Sequence, residues 1–419
     1  MDPAVLALIA LVVALLMSLT SHVNVGLLAI SLAWVVGVYA AGLRPNAVIG
    51  GFPASLFITL AGVTLLFSIA SANGTLGILA QRAAGLVRGN AGLIPLMFFA
   101  LACLLSMIGP GAIGSVALVA PIAMPTGRAA GVPNLLMAIM VGTGANAGNL
   151  SPVSAVGATV NTLMAGIGLP GTEAIVWAAN FIVHLLVALA AWVIFGGWKL
   201  LRSETTVVVQ AGRAALDRRH WVTIAVIVAW MVTVVGFGQG PSLGLAAFAA
   251  ATVLLLARVA PEAEAIRGIP FGVIFMVCGV TVLIGVLEET GGMRLFTGMI
   301  AQVASPSSLN GVIAFVTAII SMWSSTAGVV LPAFLPMVPG LVEQVGGGDP
   351  LAVAISINVG SALVDVSPLS TLGALCVAAV PDQSEARLLF RRLLLWGLSM
   401  AVVAAVVCGS LAGLFARSS

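Results

Sequence analysis

What this chain can fold into is limited first by its apolar runs, which recur along nearly its whole length and carry hardly a charge. They lie near Val5–Thr20, Val25–Leu43, Phe52–Ala70, Leu135–Ala165, Thr172–Leu200, Trp221–Phe237, Leu243–Val259, Phe271–Leu287, Leu351–Val380 and Leu388–Phe415. A bilayer is crossed by about twenty apolar residues of helix, so the chain reads as an all-α polytopic membrane protein with ten spans. Only 7% of its residues are charged, against about 25% in a soluble domain. Two more apolar stretches, 91–125 and 309–340, are split by Gly109-Pro110-Gly111 and by Ser324-Ser325-Thr326. Their halves look short for full spans, and each stretch is expected to be a re-entrant hairpin with the split at its tip.

Two of the spans, 135–165 and 351–380, are interrupted by one nine-residue pattern. NLSPVSAVG runs from Asn149 to Gly157 and DVSPLSTLG from Asp365 to Gly373, 216 residues later. Proline removes a backbone donor and crowds the preceding turn, so an apolar helix should open at each copy. In hydrocarbon the freed backbone groups survive only where protein or a water-lined cavity satisfies them. Broken helices at corresponding places in two half-chains point to a transporter's binding site. Other landmarks keep step. Pro53 and Pro270 are 217 apart, as are Gly62-Val63-Thr64 and Gly279-Val280-Thr281; Pro121 and Pro336 are 215 apart. The chain therefore divides into a first repeat (1–200), a linker (201–220) and a second repeat (221–419), each repeat with five spans and a hairpin. An odd number of spans inverts the second repeat.

Basic residues orient the chain. With the polar stretch Lys199–His220 in the cytoplasm, 13 Lys and Arg fall on that side and only Arg44, Arg294 and Arg417 on the other, as the positive-inside rule requires. Both termini then lie outside the cell's inner (plasma) membrane. The hairpins open to opposite sides, and their tips meet the two breaks near the midplane. The N-terminus lacks the positive start of a cleavable signal, so the first run is expected to remain as a span. Cys103, Cys278, Cys376 and Cys408 sit in apolar runs without metal-ligand spacing and read as core.

Of thirteen acidic residues, Asp365 alone sits inside an apolar run. A mid-bilayer carboxylate costs roughly 2.5–3.5 kcal/mol on insertion scales, which makes it a functional candidate. It can ligate a cation or carry a proton, and it also suits a helix start. Its counterpart is Asn149. Ser151, Ser154, Ser367, Ser370 and Thr371 flank the breaks, with Asn146 and Asn358 upstream. Such short donors beside helix starts suit carboxylate or phosphate oxygens, although small polar residues also let helices pack closely. With no Lys or Arg there, an anion would be held by neutral donors, helix ends and a co-bound cation, which favours cation symport. His184, inside the fifth span, could relay protons or simply face another helix. Gly240-Pro241-Ser242-Leu243-Gly244 matches the serine-hydrolase pattern but stands between two spans, not between strand and helix. An enzyme is therefore not expected, nor a nucleic-acid partner, nor any cofactor beyond Na+ or H+.

At the second hairpin the stretch from Ser321 to Pro332, SMWSSTAGVVLP, resembles the Ser-Asn-Thr signature of the divalent anion:sodium symporter family, within the ion transporter superfamily. Ser325 stands where that signature has Asn, and Gly109-Pro110-Gly111 departs further from its second copy. The paired breaks look more like the malonate and C4-dicarboxylate carrier branch. The resemblance implies a homodimer with a fixed scaffold and a mobile domain working as an elevator. It implies a small dicarboxylate such as malonate or succinate, held between tips and unwound helices. It also implies Na+ sites formed partly by backbone carbonyls there, with Asp365, Ser325 and Asn149 in reach; proton coupling through Asp365 is the substitute. Citrate uptake, sodium/proton antiport and metalloid-anion efflux are the alternatives within that superfamily.

Overall fold

The computed structural model describes residues 2–20, 23–84, 90–109, 111–201, 215–236, 243–322 and 324–416. Among them it contains helices and turns and no strand. The first half runs α1 (Pro3–Thr20), α2 (Val25–Trp34, continued by a π-helical turn to Ala40), α3 (Ala54–Ala72), α4 (Thr75–Ala84), α5 (Ile94–Ile108), α6 (Gly111–Ala129), α7 (Asn134–Asn149), α8 (Ala155–Gly166) and α9 (Glu173–Ile194). The second half has the same order of elements: α10 (Arg218–Gly236), α11 (Leu243–Leu256), α12 (Phe271–Glu289), α13 (Gly292–Ala301), α14 (Leu309–Ser321), α15 (Thr326–Val345), α16 (Pro350–Leu363), α17 (Thr371–Ala378) and α18 (Gln383–Ala416). From α1 with α10 to α8 with α17, corresponding helices begin 215 to 218 residues apart.

The two broken helices form the centre. Every residue from Leu135 to Asn149 in α7, and from Leu351 to Leu363 in α16, is buried. Around them α5 and α9 pack on α7, while α14 and α18 pack on α16. The outer helices keep large apolar side chains exposed, among them Leu27, Leu186, Val232 and Leu395, as a lipid-facing surface requires. Among the described residues six helices are long and apolar enough to cross a membrane: α3, α6, α9, α12, α15 and α18.

The halves are laced together by exchange. Helix α2 packs on α12, and α3 packs on α11. Both seams depend on missing side chains. A Cβ on Gly26 would collide with the Phe275 carbonyl, and one on Gly279 with the Gly26 carbonyl. In the other seam a Cβ on Gly62 would collide with the Gly244 carbonyl, and one on Gly244 with the Thr59 backbone. Small residues let membrane helices approach this closely, and backbone packing then replaces the hydrophobic drive that lipid does not supply. The repeated Gly-Val-Thr triplet of the sequence therefore marks a crossing point.

Several details differ from the sequence expectation. The returning hairpin limbs α6 and α15 have 19 and 20 residues and are long and apolar enough to cross, whereas the entering limbs α5 and α14 have 15 and 13. Pro121 and Pro125 sit inside α6 without ending it. The helix tolerates them because it is packed against α5 and α7, and neighbours can satisfy the freed carbonyls. Helix α15 is irregular, passing from a π-helical turn at Thr326–Val330 through a 3-10 turn at Leu335–Met337 to a regular end. Helices α4 and α13 fall where the sequence suggested only connections. The fifth span stops at Ile194, because Gly196 turns the chain with φ +80°. Helix α10 begins at Arg218, inside the expected linker, of which 202–214 lie outside the described residues.

Candidate functional site

Each break is built by the residues of its own nine-residue pattern. In the first, Ser154 precedes α8 in extended backbone and accepts the Gly157 N–H at 2.9 Å. Its hydroxyl is also set to donate back to the carbonyls of Asn149 (2.5 Å) and Ser151 (2.9 Å). In the second, Ser370 donates to the Asp365 carbonyl in the same way. The glycines closing the patterns lie on the turn itself: a Cβ on Gly157 would strike the Ser151 carbonyl, and one on Gly373 the Ser367 carbonyl. The pattern thus encodes a closed turn between two helix segments, with serines supplying the hydrogen bonds that the proline-interrupted backbone lacks.

Each hairpin tip is fastened to one break, through the corresponding residues Asn149 and Asp365. At the first, the Ala112 N–H at the start of α6 donates to Asn149 Oδ1 at 2.9 Å. At the second, Thr326 Oγ1 at the start of α15 donates to Asp365 Oδ1 at 2.6 Å, and Ser321 Oγ approaches the same oxygen at 3.4 Å. Ser321 and Thr326 also hydrogen-bond to each other. Ser325 accepts the Gly328 N–H at 3.0 Å and so caps α15.

Both tips and both breaks open on one cavity of about 610 Å³. The first residues of four helices line it: Gly111 to Gly114 of α6, Ala155 and Val156 of α8, Thr326 and Ala327 of α15, Thr371 and Leu372 of α17. A helix start carries a partial positive charge and unpaired N–H groups, so four of them gather positive potential without a basic side chain. Among the described lining residues Asp365 is the only charged one. Leu60, Phe67, Leu118, Ile274 and Met276 give the remaining wall an apolar character.

Of the residues singled out in the sequence, Gly111, Asn149, Ser324, Ser325, Thr326, Asp365, Ser370 and Thr371 are brought together on this wall. Others are not. Gly109 is buried against Phe67, where a Cβ would overlap the ring. Ser154 turns inward to the break, where it donates to the Ser151 carbonyl, Ser151 is buried, and Ser367 is buried against Gly397. Asn358 is spent on the Ala354 carbonyl one turn back, at 2.9 Å. Asn146 reaches across to the Ala362 carbonyl at 2.9 Å. Pro110 and Ser242 lie outside the described residues. Missed altogether were Phe67, Ser68 and Thr159, which line the cavity from α3 and α8. A hydroxyl such as Thr159, bonded to its own Ala155 carbonyl at 3.1 Å, carries no sequence signal that separates it from packing. The three side chains expected near Na+ are already engaged by one oxygen each, by Ala112, Gly328 and Thr326. Of these only Asp365 has a second oxygen, Oδ2, outside the bonds described. No group of three or more His, Cys, Asp or Glu able to hold a metal occurs among the described residues.

Residues 1–149 match the family model described as the dicarboxylate carrier protein MatC N-terminus. The match ends at Asn149, where the first helix breaks. No curated protein matches the chain. Among solved structures the fold is similar to the YdaH transporter of Alcanivorax borkumensis, whose crystal structure is described as revealing an unusual topology. The TM-score is 0.54 at 12% identity, over 88% of this chain and 87% of that one. By sequence over its first 149 residues the chain is thus similar to a dicarboxylate carrier, and by fold over most of its length to a transporter.

Proposed function

We propose that the chain is a secondary active transporter that imports a small dicarboxylate such as malonate or succinate, driven by Na+ or H+. The observation that carries this reading is the cavity: four helix starts and one carboxylate, with no Lys, Arg or His among its described lining residues. Helix starts and neutral donors suit carboxylate oxygens. The lone Asp365 would otherwise repel an anion, and so calls for a cation or a proton beside it. Asn149 Oδ1 is taken by the Ala112 N–H, which leaves its amide hydrogens to donate to substrate.

The recurring order of helices supports two halves, 1–200 and 221–419, with the second inverted and both termini outside the inner membrane. The fastening of each tip to its break supports a transport domain that moves as one body, as an elevator would, within a homodimer. Proteoliposome counterflow with a panel of labelled acids, followed by uptake under separately imposed Na+ and H+ gradients, tests the whole reading. Malonate or succinate should exchange best, and one gradient should drive accumulation. Exchange of citrate alone, or of no dicarboxylate, overturns the substrate assignment.

A further inference from the structure

A second cavity, of about 690 Å³, lies where the end of α3, the start of α10 and the end of α11 come together. Its polar wall is made of Asn73, Asp217, Arg219, His220, Arg258 and Glu262, none of which lines the first cavity. The proposed transport cycle does not use it. Neighbouring side chains mark its depth. Trp221, next in sequence to His220, is 58% exposed, and Leu256, two residues before Arg258, is 78% exposed. An exposed Trp at the end of a lipid-facing helix marks the level where hydrocarbon gives way to headgroups.

Arg258 stands where a glycine is usual. Its N–H donates to the Leu255 carbonyl at 2.9 Å, and the Val259 N–H donates to the Leu254 carbonyl at 3.3 Å, which closes α11. Such a turn needs a left-handed residue, normally Gly. Arg258 has φ +54° and is the only residue other than glycine with a positive φ among the described residues. Glycine would close the turn without the crowding of a Cβ, so what Arg258 adds is a guanidinium in the cavity wall. Neither Arg258 nor Arg219 makes an ion pair or hydrogen bond through its side chain among the described residues.

The acids of the same wall complete the pattern. Asp217 Oδ1 accepts the N–H groups of Arg219 at 2.9 Å and His220 at 3.1 Å, and lies 2.9 Å from His220 Nδ1. His220 Nε2 donates to the Asn73 carbonyl at 3.0 Å. These bonds cap α10, tie it to the end of α3 and leave Asp217 Oδ2 outside the bonds described. The Glu262 carboxylate is exposed and also outside them. A simple anion would meet these carboxylates, and a simple cation the two arginines. A ligand with both signs a short distance apart meets a complement at each end. We propose that this cavity binds the headgroup of a membrane phospholipid that carries a primary amine. Arg219 and Arg258 hold the phosphate, whose oxygens suit their planar forks, and the ammonium donates to Glu262 and Asp217. The acyl chains lie along the exposed apolar side chains of α10 and α11, such as Val228 and Val253. The lipid thereby joins the start of α10 to α11, on which that helix packs.

The site rests on the membrane setting and not on the cargo, so it is tested without substrate. Delipidated full chain in detergent is titrated with phosphatidylethanolamine, phosphatidylglycerol or phosphatidylcholine, and read by native mass spectrometry and by thermal unfolding. The glycerol headgroup keeps the phosphate without an ammonium, and the choline headgroup has an ammonium without hydrogens to donate. Phosphatidylethanolamine should be retained most and should raise the unfolding temperature most. Arg219→Gln and Arg258→Gly should each weaken its retention at least about tenfold, as loss of a hydrogen bond to a charged group does. Glu262→Gln should erase the preference for ethanolamine over glycerol. Arg258→Gly also separates a ligand role from a structural one. Without lipid it should unfold near the wild-type temperature, the easier turn offsetting glycine's freedom in the unfolded chain, yet gain less from phosphatidylethanolamine. Equal protection by all three lipids, a preference for phosphatidylglycerol, or a gain from phosphatidylethanolamine that survives both arginine substitutions overturns the proposal. Equal protection by soluble glycerophosphoethanolamine overturns the lipid assignment in favour of a free amine phosphate.

Discussion

Asp365 receives a hydroxyl hydrogen from Thr326 at 2.6 Å and shares its cavity wall with no described basic residue. A dicarboxylate entering this wall meets a like charge in a low-dielectric space, where repulsion is strong. A cation between them, or a proton on Asp365, removes it, and either makes ion and cargo raise each other's affinity. Asp365→Asn should therefore fold and still exchange dicarboxylate, but lose accumulation against a gradient. If it concentrates substrate as steeply as wild type, measured by proteoliposome uptake, Asp365 is only part of the turn. Thr326→Val removes a hydrogen bond to a charged group, an effect of about 1.5–3 kcal/mol. Half-maximal uptake should need at least about tenfold more substrate or driving ion, and Thr326→Ser should restore it. Gly111→Val should abolish uptake in a folded protein, because Gly111 has φ +69° and its Cβ would sit 3.4 Å from Asn149 Oδ1. Asp365 was legible in the sequence because a carboxylate inside an apolar run is costly to insert and rarely kept without a use. Phe67 was not, because an aromatic in a buried helix looks like packing. The serines of the twin patterns were half legible: spacing marks a break but not which hydroxyls close the turn and which face the cavity.

At the scale of elements, the glycine seams make a sharper claim than hydropathy could. Gly62→Val or Gly279→Val places carbon on a backbone carbonyl across the seam, and overpacking of this kind costs about 1–3 kcal/mol. Thermal unfolding in detergent should fall measurably for both, and by similar amounts if the two crossings are equivalent. Gly77→Ala in α4, with nothing within 4 Å of the added carbon, is the control and should not lower it. The sequence marked the breaks between α5 and α6 and between α14 and α15 through the glycine-rich and polar splits there. The stretches read from it, 91–125 and 309–340, stop short of the ends of the returning limbs at Ala129 and Val345, because the packing that carries the chain on past Pro121, Pro125 and Pro336 belongs to other segments. Helices α4 and α13 escaped notice for a different reason: at ten residues each they are too short to register as apolar runs.

For the whole molecule, the proposed inversion places residues 210 and 345 on opposite faces of the membrane. Single cysteines at Gln210 and Val345 should react with an impermeant maleimide from opposite sides of sealed vesicles; same-side labelling would end the inverted arrangement. The native thiols should not interfere, since all four are buried. The exchanged seams also bear on how such a protein can be made. Synthesis delivers α2 and α3 before α11 and α12 have been translated. The first half must therefore wait in the bilayer with both glycine grooves open, filled by lipid or guarded by an insertion chaperone, until its complement arrives. Two halves made as separate polypeptides should survive only when they share a membrane at the same time, each serving as the other's folding template.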